Sequence, residues 1–221
     1  MMNLEYGSDF YLMASEEFMN GEKESFFDEK RFNFFISGRS SLYSLLKNGI
    51  EKHNWEKVFI PSYYCKEVLP ELSSLPLEIE EYKFNPFLDS ENKELSLEDK
   101  SKNVLISIDF FGVNKINSEK YNNLFVIEDL THNLYSIPFS KADYVFASLR
   151  KELPVPCGGI TYSPKSLYLS QGKKDETANE VSLKKLTGMY LKKQYIEGLI
   201  TNKEIYRELL KDGESLLDIF F

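Results

Sequence analysis

The chain has 221 residues and a mass of 25.8 kDa, and 42% of its residues are hydrophobic, so it can bury the core of one large domain or of one and a half. Its net charge of −8 argues against a surface for nucleic acid or an anionic membrane, although a local basic pocket for phosphate stays compatible with it. Cys65 and Cys157 are too few for a disulfide framework. They favour a reducing compartment, and with no membrane-length apolar run and no signal-peptide pattern we expect a cytoplasmic protein.

Residues 1–31 are aromatic and acidic without a regular period, which predicts an N-terminal arm or irregular segment, with 10–13 as a short strand or arm. The apolar run that follows is broken by Ser37-Gly38-Arg39-Ser40-Ser41. A helix is predicted next, because apolar residues recur at helical spacing. A glycine-containing turn at a helix start presents free backbone N–H groups that suit a phosphate. It can equally serve only as a helix cap.

Two apolar runs in the first half of the chain predict buried strands. Residues 58–60 are followed by Pro61 and by a predicted helical turn that Pro70 should end. Residues 104–108 are apolar and rich in β-branched side chains, as a central parallel strand should be. This second strand leads into Phe110 and Phe111, which either stack on a flat ligand ring or belong to the core. Residues from Ser96 onward predict a short surface helix before it.

Two further strands end in residues that carry chemistry. The run 124–127 ends in Glu128-Asp129, and the run 144–147 is followed closely by Lys151 and a Pro-rich turn. In open α/β sheets, ligands bind outside the carboxyl ends of the strands, so Asp129 and Lys151 are both expected near a ligand. A lysine whose stem is held in a cleft can lose its proton and attack an aldehyde. The alternative is a surface lysine and a solvated acid at two strand ends.

The two segments together resemble one enzyme family. The run L-F-V-I-E-D-L-T-H, with Asp129 and His132, and the run around Lys151 that leads into Gly158-Gly159 are similar in order and strand context to the DegT/DnrJ/EryC1/StrS family. Its members are fold-type-I aminotransferases that depend on pyridoxal 5′-phosphate (PLP) and act on sugars. The resemblance implies an α/β protein: a three-layer α/β/α arrangement with a mostly parallel, mixed central sheet.

The resemblance also assigns roles to individual residues. It implies that Lys151 forms the Schiff base with PLP and then acts as general base, and that Asp129 holds the pyridinium nitrogen, which keeps the ring an electron sink. His132 would lie near the phenolic oxygen of the ring, or else be a surface residue. The further cofactor-binding residues that it implies are Gly38, Arg39, Ser40 and Ser148 at the phosphate and Phe110 or Phe111 on the ring face. His53 and His132 share no ligand-like spacing with cysteines or carboxylates, so no metal site is expected.

The resemblance covers the chain from about Phe32 onward. It implies a PLP-binding large domain over 32–180 and a helical connection over 181–221, where apolar residues at helical spacing include Leu183, Leu186 and Tyr190. The small C-terminal domain of the family is not in the sequence. We therefore expect an aminotransferase that forms homodimers and acts on a keto sugar linked to a nucleotide, with an amino-acid donor. The alternative is a truncated or inactive relative with a binding or regulatory role.

Overall fold

A computed structural model describes residues 9–13, 31–87, 96–113, 115–172 and 176–218. The strands are β1 (Asn33–Phe35), β2 (Lys57–Pro61), β3 (Glu78–Tyr82), β4 (Asn103–Ile108), β5 (Phe125–Asp129), β6 (Tyr144–Ser148) and β7 (Gly159–Tyr162). The α-helices are α1 (Gly38–His53), α2 (Leu69–Leu72), α3 (Glu176–Ile196) and α4 (Glu204–Asp218). Short 3-10 helices connect several of them.

The strands form one seven-stranded sheet in the order β1-β7-β6-β5-β4-β2-β3. The strands β3, β2, β4, β5 and β6 run parallel to one another, and β7 is antiparallel to both β6 and β1. The carboxyl ends of the five parallel strands therefore lie at one edge of the sheet. The sheet is mixed and mostly parallel, with flanking helices, as the sequence predicts.

Side chains alternate between the two faces of the sheet, because successive residues of a strand point to opposite sides. Ile127 of β5 and Phe146 of β6 belong to the core under α1, together with Leu42, Leu45 and Leu46. Asp129 and Ser148 follow these residues by two positions and so emerge on the same face. On the opposite face, helical turns and connecting segments cover Leu105, Val126 and Val145. The strand ends thus deliver Asp129 and Ser148 toward the start of α1.

The last two α-helices pack against each other; of the apolar residues expected on one face of α3, Leu191 packs partly buried against the cluster that contains Met189, but three others stay largely exposed. Leu183, Leu186 and Tyr190 are 67%, 41% and 49% exposed. The buried residues of α3 include Lys185 and Lys192, whose amines bind Glu214 and the backbone oxygen of Asp9. The buried face also contains Val181 and Met189, so it mixes apolar residues with paired lysines, and the spacing of the leucines does not reveal it.

Two local expectations meet a different structure, and of the strand or arm expected over 10–13 the strand does not form. Pro70 does not end a helix: it lies in the first turn of α2, where a missing backbone N–H costs nothing. Residues 96–102 form no helix, and the carboxylate of Asp99 there accepts backbone N–H groups from 122–124 instead. Residues 9–13 form neither helix nor strand, and Leu12 donates to the backbone oxygen of Met189. None of the described helices is long and apolar enough to cross a membrane.

Candidate functional site

A cavity of about 470 Å³ opens at the carboxyl edge of the parallel strands, a volume typical of small-molecule sites. Most of the residues predicted from the sequence line it, namely Gly38, Arg39, Phe110, Asp129, His132, Ser148 and Lys151. Ser40 and Phe111 are not among the described residues that line it. Four connections build the cavity, after β2, β4, β5 and β6, and the start of α1 closes one side.

Asp129 is the last residue of β5 and is only 5% exposed. Its Oδ1 accepts the backbone N–H of Thr131 at 3.0 Å, and its Oδ2 accepts the hydroxyl of Tyr64 at 3.0 Å. Burial raises the pKa of Asp129, while hydrogen bonds from Thr131 and Tyr64 and the nearby His132 oppose that rise. The site therefore contains a buried acid that is held by hydrogen bonds at both oxygens.

Thr131 joins the turn after β5 to the end of β6. Its hydroxyl oxygen accepts the backbone N–H of Ser148 at 3.1 Å, while its own N–H binds Asp129. An aspartate that accepts the N–H two residues on is a common local turn, so the order Asp129-Leu130-Thr131 contained a signal for this residue. This turn fixes Asp129 and Ser148 relative to each other.

His132 lies beside the aromatic residues that follow β4. Its ring is stacked with Phe110 at 6.2 Å between centroids and contacts Phe111 at 4.8 Å. Burial lowers the pKa of His132, the charge of Asp129 opposes this effect, and Lys151 adds to it. Phe110 is 8% exposed and lines the cavity, whereas Phe111 is 69% exposed and has a positive φ of 58°. Of the two candidates for stacking on a ring, Phe110 is the one at the cavity wall.

The start of α1 packs closely on the end of β6. A Cβ added to Gly38 would lie 2.6 Å from the Cβ of Ser148, so only glycine fits there without a shift. Ser37 caps the helix, because its hydroxyl accepts the N–H of Ser40 at 3.1 Å, and the two hydroxyls lie 2.9 Å apart. The side chain of Arg39 forms an ion pair with Glu71 at 3.6 Å. The close approach of Gly38 to Ser148 brings the positive end of the dipole of α1 to the cavity.

Lys151 ends the 3-10 helix Leu149–Lys151, directly after β6, and lines the cavity with an exposed side chain. The neighbouring Arg150 makes a bidentate ion pair with Glu214 of α4, at 2.7 and 2.6 Å. Glu214 also accepts from the buried amine of Lys185 at 2.5 Å. The turn that carries Lys151 is therefore anchored to the last two helices.

The residues present fit PLP. The cavity combines an acid that can pair with a ring nitrogen, an aromatic wall, a lysine amine, and a helix start that the missing side chain of Gly38 lets approach Ser148. The hydrogen bond from Tyr64 to Asp129 was not expected from the sequence, because the two residues lie 65 positions apart. Within the described ranges, no group of three or more histidine, cysteine or acidic residues could hold a metal ion.

No protein-family model and no curated protein matches the sequence. Among solved structures, a NifS-like protein is similar over 72% of this chain and 55% of its own, with a TM-score of 0.51 and 16% identity. A DegT/DnrJ/EryC1/StrS aminotransferase from Brucella abortus covers 61% of this chain and 42% of its own (TM-score 0.46, 19% identity). A variant of serine palmitoyltransferase from S. paucimobilis with a bound PLP–myriocin aldimine covers 61% of this chain and 39% of its own (TM-score 0.42, 11% identity).

The chain thus spans between 39% and 55% of the length of these three solved proteins. Identities this low bear on the fold alone, and only the NifS-like protein is similar enough for that purpose. Together with the strand order described above, the likeness gives the fold: a mixed, mostly parallel seven-stranded sheet with flanking helices, the fold of type I PLP-dependent transferases.

Proposed function

We propose that this chain is the cofactor-binding part of a PLP-dependent aminotransferase. The observation that carries the proposal is the cavity in which a buried acid, Asp129, and a lysine, Lys151, follow neighbouring parallel strands. In the proposal, Lys151 would be the residue that holds PLP covalently, through a Schiff base between its amine and the cofactor aldehyde. Bound PLP supplies an electron sink for chemistry at the carbon that bears the amino group.

The other lining residues have roles that follow from their positions. Asp129 pairs with the protonated ring nitrogen, and Phe110 covers one ring face. The backbone N–H groups at the start of α1 and the hydroxyl of Ser148 bind the phosphate. The amine of Lys151 would also be the group that takes up and returns a proton at the substrate carbon. His132 keeps a neutral ring beside Phe110, since burial lowers its pKa.

The substrate part of the proposal rests on the resemblance in sequence. The acceptor would be a keto sugar attached to a nucleotide, and the donor an amino acid such as glutamate. We further propose that the chain works as a homodimer in the cytoplasm. The test is to incubate the chain with glutamate and a panel of nucleotide-linked keto sugars, and to measure 2-oxoglutarate and the amino sugar in equal amounts by mass spectrometry.

The cofactor part is tested first and separately. PLP is added to the purified chain, the visible absorption is recorded, and borohydride is then used to fix any adduct for peptide mass spectrometry. We expect a phosphopyridoxyl group on Lys151 and its loss in Lys151→Ala. The matched control is Lys66→Ala, which removes a different lysine of the same cavity and should keep the adduct.

Adduct spread over surface lysines, or no adduct in the wild type, would contradict the proposal. An adduct on Lys151 without amino transfer would favour the alternative, a relative of these enzymes that binds PLP in a regulatory role.

The phosphate role has its own comparison. Pyridoxal carries the same ring and aldehyde as PLP but lacks the phosphate. If the start of α1 binds the phosphate, pyridoxal should bind at least about tenfold more weakly, since hydrogen bonds to a charged group contribute about 1.5–3 kcal/mol each. If PLP and pyridoxal have equal dissociation constants in fluorescence titrations, the start of α1 does not bind the phosphate.

A further inference from the structure

Tyr64 lies in the turn after β2, two strands away from β5 in the sheet. Its ring packs against the hydrophobic clusters on both faces of the sheet. Its hydroxyl crosses to β5 and donates to Oδ2 of Asp129 at 3.0 Å. A ring held on two sides leaves this hydroxyl little freedom to choose another partner.

The hydrogen bond from Tyr64 affects whether the carboxyl group of Asp129 is ionised. An ionised carboxylate has about four acceptor positions and donates nothing. Tyr64 and the N–H of Thr131 use one position on each oxygen, so the remaining positions can face a donor in the cavity. A hydroxyl that donates to the carboxylate stabilises the ionised form, whereas burial of Asp129 favours the neutral form.

The charged side chains of the cavity around Asp129 come from four segments, of which the one after β2 contributes Lys66 and Glu67. His132 follows β5, Arg150 and Lys151 follow β6, and the helix start brings Arg39 to the same cavity. Arg39 and Arg150 are ion-paired with Glu71 and Glu214. Burial and Asp129 together raise the pKa of Tyr64, so its hydroxyl keeps its proton and stays a donor near neutral pH.

We propose that Tyr64 is a positioning residue for the cofactor. Its hydroxyl fixes the Asp129 carboxyl group in one orientation and keeps it ionised, ready to accept a cationic ring N–H. This inference rests on the proposed function. It goes further because it gives a defined task to a residue whose side chain need not touch the cofactor.

A simpler role for Tyr64 is that of a core tyrosine whose hydroxyl merely finds an acceptor. The two roles differ in what Tyr64→Phe does, because phenylalanine keeps the packing and removes only the hydrogen bond. A core role predicts a small change in stability and no effect on PLP. The positioning role predicts weaker PLP binding that depends on Asp129.

The experiment compares equilibrium dissociation constants of the full chain for PLP, measured by fluorescence titration at pH 7.5. We expect Tyr64→Phe to bind roughly tenfold more weakly, because a hydrogen bond to a charged group is lost. The matched control is Tyr63→Phe: Tyr63 is the adjacent tyrosine, 53% exposed, and its ring contacts Phe87 and Phe110. It should bind as the wild type does.

The double variant Tyr64→Phe/Asp129→Asn completes a cycle. If Tyr64 acts through Asp129, replacing the tyrosine in the Asp129→Asn background should change the dissociation constant less than twofold. In addition, carbon-13 NMR of the Asp129 carboxyl group in the cofactor-free chain should show its titration moved to higher pH in Tyr64→Phe. This readout does not need PLP.

The outcomes separate the two proposals. A wild type that binds PLP while Tyr64→Phe binds equally well overturns the role of Tyr64 and leaves the proposed function standing. An equal loss in the Asp129→Asn background, or an unmoved Asp129 titration, overturns it as well. A wild type that does not bind PLP overturns the proposed function and the role of Tyr64 together.

Discussion

At the scale of single residues, the site depends on how closely backbone segments approach. Gly38 and Ser148 belong to segments that are far apart in sequence, yet a Cβ on Gly38 would lie 2.6 Å from that of Ser148. The glycine lets the first turn of α1 reach the end of β6. The same approach forms the part of the cavity to which we assign the phosphate.

Gly38→Ala gives a prediction whose sign is unusual. In a helix, this replacement normally stabilises by about 1 kcal/mol. Here the added Cβ meets Ser148, so we expect the free energy of unfolding to fall by about 1–3 kcal/mol instead. Urea unfolding of the wild type and of Gly38→Ala measures this change in the free energy of unfolding. The double variant Gly38→Ala/Ser148→Gly removes the Cβ of Ser148, which the new Cβ would contact, and should recover part of the lost stability. A Gly38→Ala variant that is more stable than the wild type would contradict this close packing.

At the scale of elements, the turn that carries Lys151 is held from outside the sheet. Glu214 of α4 binds both Arg150 beside the lysine and the amine of Lys185 on α3, whose side chain is 3% exposed. Although burial alone would raise it, these two cations hold the pKa of Glu214 below its usual range. One carboxylate thus couples α3 and α4 to the turn after β6.

We expect Glu214→Gln to lower the free energy of unfolding by about 2 kcal/mol, because it leaves Lys185 buried without a carboxylate. The loss stays below that for a fully buried pair, since 35% of the Glu214 side chain is exposed. Asp212→Asn is the matched control on the same helix. Asp212 pairs with Lys184 at 3.7 Å and is 60% exposed, so its replacement should cost about 0.5 kcal/mol or less. If Glu214→Gln and Asp212→Asn lower the free energy of unfolding by similar amounts, Glu214 does not couple the last two helices to the turn after β6.

At the scale of the whole molecule, stability should depend on pH through its histidines. The His53 ring binds the hydroxyl of Tyr144 at 2.6 Å and packs near Trp55 and Phe125. Burial lowers the pKa of His53 below 6.5, although Asp143 opposes this effect. Burial lowers the pKa of His132 as well. Below its usual pKa, each of these histidines binds a proton more readily in the unfolded chain than in the folded one.

The contribution of His53 therefore falls as the pH decreases from about 7.5 to about 5.5. The raised pKa of Asp129 acts in the opposite direction, so the wild-type curve alone is not decisive. His53→Gln provides the comparison, because glutamine does not titrate and can still bond to Tyr144. The difference in unfolding free energy between wild type and variant should shrink toward low pH; a constant difference would show that His53 does not titrate on unfolding.

Much of the fold and of the candidate site could be predicted from short stretches of sequence. The buried strands β2, β4, β5 and β6 are apolar, β-branched runs, and their identity is a local property. Asp129 and Lys151 follow such runs directly, and a parallel sheet brings the residues after its strands to one edge. For that reason their appearance in one cavity follows from the sequence once the strands are parallel.

Other features depend on which segments meet in space. Tyr64 reaches Asp129 across 65 positions of sequence, and this contact exists only because β2 and β5 flank β4. Lys185 is buried and forms an ion pair with Glu214 of α4, whereas Leu183 and Leu186 of the same helix as Lys185 are exposed. Phe110 is buried and the next residue, Phe111, is exposed at the start of a turn, where its backbone has a positive φ.

The sequence by itself thus determined which runs form the buried strands and which residues end them, since both follow from the hydrophobicity and spacing of neighbouring residues, while the class of sheet was implied by the family resemblance. Only the tertiary structure decided which side chains hold Asp129, which helix faces are buried, and which aromatic ring lines the cavity. These three features depend on the order of the strands and on pairing between charges and hydroxyl groups that are distant in sequence. The free energy of such contacts depends on how closely distant segments pack, which the local sequence does not encode.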